Sequence, residues 1–329
     1  MTASARPTPD APGTPESPSA PENPSAREDP GAPEDAGGPG DPGTPEAPGT
    51  PEDVGGPGRA PGISPRHELR AVHALVHRDL LRLSAQRVHT ALMLLQPVLY
   101  LFVLGGGLAA LIPGSSLGVG YQAYLFPGML IMTVQAPAII VGIRLITDRQ
   151  SGYLRELLMV PVSRPTLLLG SCAGGTLVST VQGAVLLGLG GAVGLPYDPL
   201  LLALLLAALI LASFTITALS LLLAVSLDRP EIFQMLLGLV MMPLLFLSGG
   251  FFPLDNLPRW AHALTVVNPL AYGVDLLRRC IALRVPHQAA AVGVEWGGRQ
   301  PPLLLECAVL LAGGAVALVW AARRFGRPE

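Results

Sequence analysis

Residues 199–227 read PLLLALLLAALILASFTITALSLLLAVSL, a leucine-rich run with no charged residue. A helix that packs on a soluble core keeps a polar face, and this stretch has none. At 1.5 Å per residue, roughly 20 apolar residues cross the ~30 Å of hydrocarbon in a bilayer. The run therefore predicts a transmembrane helix, and it sets the frame for the rest of the chain.

Five more segments of the same kind flank it. They lie at about 91–112, 124–146, 167–194, 231–252 and 302–321. The first holds Gly105, Gly106 and Gly107, and the second is interrupted by Pro127 and Pro137. The third is rich in small residues and carries GxxxG spacings at Gly170/Gly174 and Gly190/Gly194, which permit close helix approach. The expected fold is an all-α polytopic membrane protein with six transmembrane helices. Ahead of the first span, residues 66–90 place Leu69, Val72, Val76, Leu80 and Leu83 three or four apart, with Arg70, Arg78, Arg82 and Arg87 among the polar positions. That pattern suits a helix lying at the membrane surface near anionic headgroups.

The net charge of −2 conceals a division. Residues 1–65 carry eleven acids against three arginines and hold 17 of the 34 prolines, whereas the remainder has more arginine than acid. GTPE occurs at 13–16, 43–46 and 49–52. A segment with so little to bury cannot offset the entropy of ordering its backbone. The sequence thus divides into a disordered Pro/Gly/acidic tail, 1–65, and a membrane domain, 66–329. The tail lacks the apolar region of a secretory signal.

Arginine placement orients the spans. Arg66, Arg70, Arg78, Arg82 and Arg87 precede the first, and Arg144, Arg149, Arg155 and Arg164 lie around the connection between the second and third. Arg229 sits between the fourth and fifth, and Arg323, Arg324 and Arg327 follow the last. The connection at 113–123 carries no charge, and that between the third and fourth spans has only Asp198. Both termini are therefore expected to be cytoplasmic. The long connection before the last span runs against the rule, with Arg259, Arg278, Arg279, Arg284 and Arg299; late, long loops weigh less in setting orientation.

Several function classes find no support. With no lysine in the chain there is no phosphate-binding loop of the GxxxxGK[ST] type. No HExxH, GxSxG or Cys/His cluster occurs, so no catalytic residue is assigned. Cys172, Cys280 and Cys307 are scattered and read as small buried hydrophobes. His73 and His77 stand at i and i+4 without a third ligand, and no metal site is expected. A stand-alone secondary transporter would place ionisable groups deep in several spans, and this sequence has almost none.

Two loops are more specific. Residues 147–165, TDRQSGYLRELLMVPVSRP, join the second and third spans. Gly152 can turn the chain, and Tyr153 to Val160 can form a short helix before Pro161. Its apolar side would hold Tyr153, Leu154, Leu157 and Leu158, with Arg155 and Glu156 on the polar side. Such a helix suits docking into a groove of another protein, or lies on the surface as a plain connector. The second loop runs FLSGGFFPLDNLPRW at 246–260 and VNPLAYGVDLLRR at 267–279. Asn268 is a plausible helix N-cap with Pro269 at the first helical position. The helix that follows carries Tyr272, Asp275 and Arg278 at steps of three. Trp260 and Tyr272 suit an interface belt, and the whole reads as re-entrant outer helices. Four polar groups fall within or near the apolar segments: Gln96, Gln135, Gln182 and Glu306. They either line a pathway or hydrogen-bond between helices, and Glu306 could sit at the outer headgroup level.

These stretches resemble the ABC-2 type permeases, the membrane subunits of bacterial ATP-driven exporters. Asp148-Arg149, Gly152, Glu156, Pro161 and Arg164 match that family's cytoplasmic loop. FLSGGFFPLDNLP and NPLAYGVDLLRR are similar to its exit from the fifth span and its signature before the last helix. The match covers roughly residues 66–325, and it is nearest to the daunorubicin-resistance branch. The resemblance implies a homodimer of permeases with two copies of a separate ABC ATPase, which would bind the ATP and Mg; this chain binds no cofactor. The 152–160 helix would be the coupling helix, with Arg155 and Glu156 in polar contacts and Tyr153, Leu157 and Leu158 as apolar anchors, and helix 66–90 the elbow. The cargo implied is a hydrophobic or amphipathic drug-like compound moved outward across the plasma membrane, with lipid or polysaccharide as the alternative. Membrane lipids, not nucleic acid, are the expected surroundings.

Overall fold

The computed structural model describes residues 65–109, 120–151, 164–254, 258–285, 293, 294, 296 and 299–325. All lie in the unit Gly58–Glu329. Ten α-helices are formed among them: α1 (Pro65–Ala85), α2 (Arg87–Leu99), α3 (Gly105–Ala109), α4 (Tyr121–Gln150), α5 (Arg164–Leu187), α6 (Pro199–Ser226), α7 (Pro230–Phe246), α8 (Arg259–Val267), α9 (Pro269–Arg284) and α10 (Leu303–Phe325). No strand occurs among the described residues beyond an isolated bridge between Trp296 and Arg299.

Among the described residues, five stretches are long and apolar enough to cross a membrane: Arg87–Gly107, Tyr121–Gln150, Pro165–Leu187, Pro199–Ser226 and Leu303–Phe325. The sixth expected span is the shorter α7, whose 17 residues extend roughly 26 Å. The chain is thus an all-α polytopic membrane protein. The first crossing is not a plain helix. Pro97 lacks an amide donor and displaces the ladder, and a π turn at Tyr100–Leu104 takes up the irregularity before α3 resumes.

Local chemistry sets the ends of the elements. Asp198 caps α6 by accepting from Leu200 N at 3.1 Å, with Pro199 in the first turn. The turn Leu227–Asp228–Arg229 then leads to Pro230 and α7. The expected cap on α9 is present: Asn268 Oδ1 accepts from Leu270 N at 3.0 Å ahead of Pro269. Gly249, with φ of +74°, takes the left-handed conformation just beyond α7.

α6 is the axle of the bundle, packed against α4, α5, α9 and α10. α1 lies on α5, while α2 and α7 pack on α4 and leave large apolar faces exposed. The first GxxxG pair serves α1: a Cβ on Gly170 would strike Leu75, and one on Gly174 would strike Asp79. The second pair is not helical in the expected way, because α5 ends at Leu187 and Gly190–Val193 form a 3-10 turn closed by Gly194 at φ of +83°. At the other end of α4, Gly128 meets backbone: a Cβ there would lie 2.6 Å from Gly250 Cα. Two apolar cores result. One centres on Tyr124, Phe126 and Leu201 toward α9, the other on Leu145, Leu168 and Phe233 toward α1.

Candidate functional site

Three polar groupings interrupt this apolar bundle, one at each end and one between. At the α1 end, Asp79 is only 5% exposed. Its Oδ1 lies 3.6 Å from Arg78 Nε and 3.8 Å from Arg144 Nη1, so the contacts are ionic rather than hydrogen bonds. With Asp148 these residues line a small cavity of about 20 Å³. α1, α4 and α5 thus meet around charge. Arg149 reaches toward Val225 O at 3.5 Å and Asp228 at 3.8 Å, and Gln150 Nε2 donates to Asp228 O at 2.9 Å. The end of α4 is thereby tied to the turn between α6 and α7. Of the expected coupling residues, Asp148 and Arg149 are placed here. Gly152, Tyr153, Arg155, Glu156, Leu157, Leu158 and Pro161 lie outside the described residues, as does the side chain of Arg164 at the start of α5.

Between the ends, α2, α4 and α7 line an open cavity of about 280 Å³. Gln96 of α2, Gln135 of α4 and Gln234 of α7 line it, with Met93, Met132, Met241 and Met242. No ionisable side chain is among its lining residues. Gln135 is 9% exposed, and its Oε1 has no hydrogen-bond partner. Two of the four polar groups singled out in the spans are therefore brought together. Gln182 is not with them; it lines a narrow cavity of about 30 Å³ shared with Asp79 and Arg144.

At the α8–α9 end the polar groups are densely paired. Asn268 Nδ2 donates to Leu244 O at 2.6 Å, so the residue that caps α9 also satisfies a carbonyl in the last turn of α7. Tyr124 Oη and Arg278 Nη2 both donate to Gly249 O at 2.9 Å, and the Arg278 guanidinium stands 4.4 Å over the Tyr124 ring. The i, i+3 pairing of Asp275 with Arg278 does not form. Asp275 Oδ2 instead accepts from Arg279 Nη2 and from Val294 N, both at 3.1 Å, because Arg278 is turned toward α4. Arg279 Nη2 is also 2.8 Å from Oε1 of Glu306, which is 0% exposed. That contact is ionic without aligned hydrogen-bond geometry, and Oε2 has no hydrogen-bond partner. The Glu306 side chain is thus buried between α9 and α10. Tyr272 is buried too, donating to Val266 O at 2.7 Å and accepting from Trp296 Nε1 at 2.9 Å. Trp260 is exposed, as a belt residue would be. Nearby, hydrogen bonds from Arg284 and from Leu200 N hold the Asp198 carboxyl below its usual 3.8.

Sequence reasoning missed three members of these groupings. Asp79 lies four residues after Leu75 on the buried stripe of α1, a position that flags an acid turned inward. Gln234 is a lone amide in an apolar helix and carried the same signal as Gln96. Arg279 differs from Arg278 by one helical step, and no local pattern separates them.

A family model described as ABC-2 type transporter matches residues 70–281, from α1 into α9. The transport permease ycf38 of Cyanophora paradoxa is 30% identical over 216 residues, 64% of this chain and 73% of that protein. Nodulation protein J of Rhizobium leguminosarum bv. viciae is 31% identical over 189 residues, covering 56% of this chain and 71% of its own. A protein of Escherichia coli K12 named as a probable multidrug ABC transporter permease, YbhR, is 24% identical over 189 residues, 56% of this chain and 49% of that one.

Proposed function

The chain belongs to the ABC-2 type transporter family, and we propose that it is the permease subunit of an ATP-driven exporter that carries a drug-like amphipathic compound out of a bacterial cell. One observation carries the reading of a pathway: the amides of Gln96, Gln135 and Gln234 converge on one cavity between α2, α4 and α7. Gln96 and Gln234 are exposed on the apolar faces of α2 and α7. Facing hydrocarbon, such amides would be costly. A second copy of the chain laid against this edge removes that cost and encloses the cavity, which supports a homodimer. The relative named as a multidrug permease favours a drug-like cargo over lipid or polysaccharide.

Energy comes from a separate ABC ATPase, two copies to a dimer, docked on the cytoplasmic loop 152–160 between α4 and α5. Both termini are cytoplasmic. Asp148 stands at the α1 charge cluster, and Arg149 and Gln150 fix the end of α4 to the α6–α7 turn. Movement of that loop therefore has a rigid path into the helices that line the cavity. It drives the path only to the extent that docking energy differs between the two states.

Co-expression with candidate ABC ATPases, followed by purification through the permease, tests the docking. Glu156→Lys or Leu157→Asp is expected to weaken co-purification while the chain still inserts. Undiminished capture by both variants would contradict this reading.

A further inference from the structure

The joint between α9 and α10 holds more acid than base. Asp275 and Glu306 are 3% and 0% exposed, and both carboxyls converge on one nitrogen, Nη2 of Arg279, at 3.1 and 2.8 Å. Fully ionised, the three side chains would carry a net negative charge inside the apolar bundle, a large cost away from water. Among the described residues Arg279 is the only cation paired with either acid. Arg278 is committed to Gly249 O and the Tyr124 ring, and Arg299 is exposed. α6 packs on both helices and has no ionisable side chain from Pro199 to Ser226. Tyr272, Cys280 and Cys307 also stand close to Glu306, and these types are ordinarily uncharged at neutral pH. Glu295 lies outside the described residues.

The two acids are not equivalent. Asp275 Oδ2 accepts from Arg279 Nη2 and from Val294 N, as an ionised carboxylate does. Glu306 has no aligned donor. Its contact with Arg279 is ionic, no N–H of the first turn of α10 reaches it, and both of its oxygens lack a hydrogen-bond partner. It nevertheless lies within hydrogen-bonding reach of Asp275. Two carboxylates cannot make that bond, since neither has a hydrogen to give. One proton turns the repulsion into a charge-assisted O–H···O⁻ bond and brings the three side chains to a net charge of zero.

We infer that Glu306 is a proton-binding site: in the folded chain its carboxyl holds one proton, taken from solvent, and donates it in a hydrogen bond to an Asp275 oxygen while Arg279 neutralises Asp275. The ligand is the proton, and its role is to pin α10 to α9. Without it, the first turn of α10 sets a second carboxylate against Asp275. The inference depends neither on the cargo nor on an ATPase.

Infrared absorption of the full chain in dodecyl maltoside, a detergent without carbonyl groups, reads the proton directly. A protonated carboxyl shows a carboxylic-acid C=O stretch that a carboxylate lacks. At neutral pH the native chain should show that band, shifted to lower frequency in heavy water. Glu306→Gln should abolish it. Asp275→Asn should abolish it as well, because Arg279 is then free to pair with an ionised Glu306. Asp198→Asn, which removes an acid outside the joint, should leave it in place. Glu306→Gln should also melt close to the native chain at neutral pH, since the amide keeps the size of the acid and a hydrogen to donate. A native chain without the band, or a band unchanged by Glu306→Gln, would overturn the inference. So would a band that survives Asp275→Asn, which would leave Asp275 no part in holding the proton. A Glu306→Gln chain that melts as low as Arg279→Met would overturn it too, being the result expected of an ionised Glu306 paired with Arg279.

Discussion

The α8–α9 end and the α2–α4–α7 cavity are both polar places in an apolar protein, and they handle polarity in opposite ways. At the α8–α9 end most polar side chains are engaged, although Arg278 Nε and the carboxyl oxygens of Glu306 have no hydrogen-bond partner. Asn268 serves two helices, Arg278 and Tyr124 share one carbonyl, and Arg279 stands between Asp275 and Glu306. In the cavity, Gln135 is buried to a comparable degree and its carbonyl oxygen has no partner. Away from water, a polar group that finds a partner within the protein fixes helices together. One left without a partner raises the energy of the empty protein, and a ligand can recover that energy. The first region joins helices through polar pairs, whereas in the second Gln96 and Gln234 stand on exposed faces.

The largest effect should come from breaking the first region. Arg279→Met leaves the buried carboxyl groups of Asp275 and Glu306 without the guanidinium between them, at a cost of about 3–5 kcal/mol. Thermal unfolding of the purified chain should show a large loss, with Arg279→Lys recovering part of it. Next comes the joint that brings α4 to the α7 exit. Gly128→Ala would press a methyl against the backbone of Gly250, costing about 1–3 kcal/mol. The same melting experiment measures it, and a variant as stable as the native chain would show that α4 and the 249–250 turn part easily.

The exposed rim of the same end should respond only to acid. The Asp198 carboxyl titrates lower in the folded chain than its usual 3.8, first through its hydrogen bond from Arg284 and then through that from Leu200 N. A lowered folded value contributes stability above the unfolded value, and the contribution is lost as pH falls through the folded one. The difference in melting temperature between the native chain and Asp198→Asn should therefore hold at neutral pH and narrow only as the pH falls below the usual 3.8.

Much of this fold is legible in the sequence because membrane crossing imposes length and apolarity on each span. The caps at Asn268 and Pro269 are legible because capping is local. The partners of the signature residues are not local. Arg278 turns to α4 because Gly249 O and the Tyr124 ring are there, and only then does Asp275 fall to Arg279. Tyr272 looks like a belt residue by type, but Trp296 and Val266 bury its hydroxyl. Glu306 lies four positions into α10 and close to two prolines, and its burial shows only once α9 is laid against it. Gln96 and Gln135 are readable one at a time, whereas their convergence with Gln234 depends on how α2 and α7 lie on α4. The coupling loop is the reverse case, described by its sequence motif alone.

The contrast between the two regions is tested most directly by thermal unfolding of Arg279→Met and Gln135→Leu side by side. Arg279→Met should lose about 3–5 kcal/mol of stability, and Gln135→Leu should stay within about 1 kcal/mol of the native chain, since the replaced amide oxygen has no partner. Equal losses in the two variants would contradict the contrast.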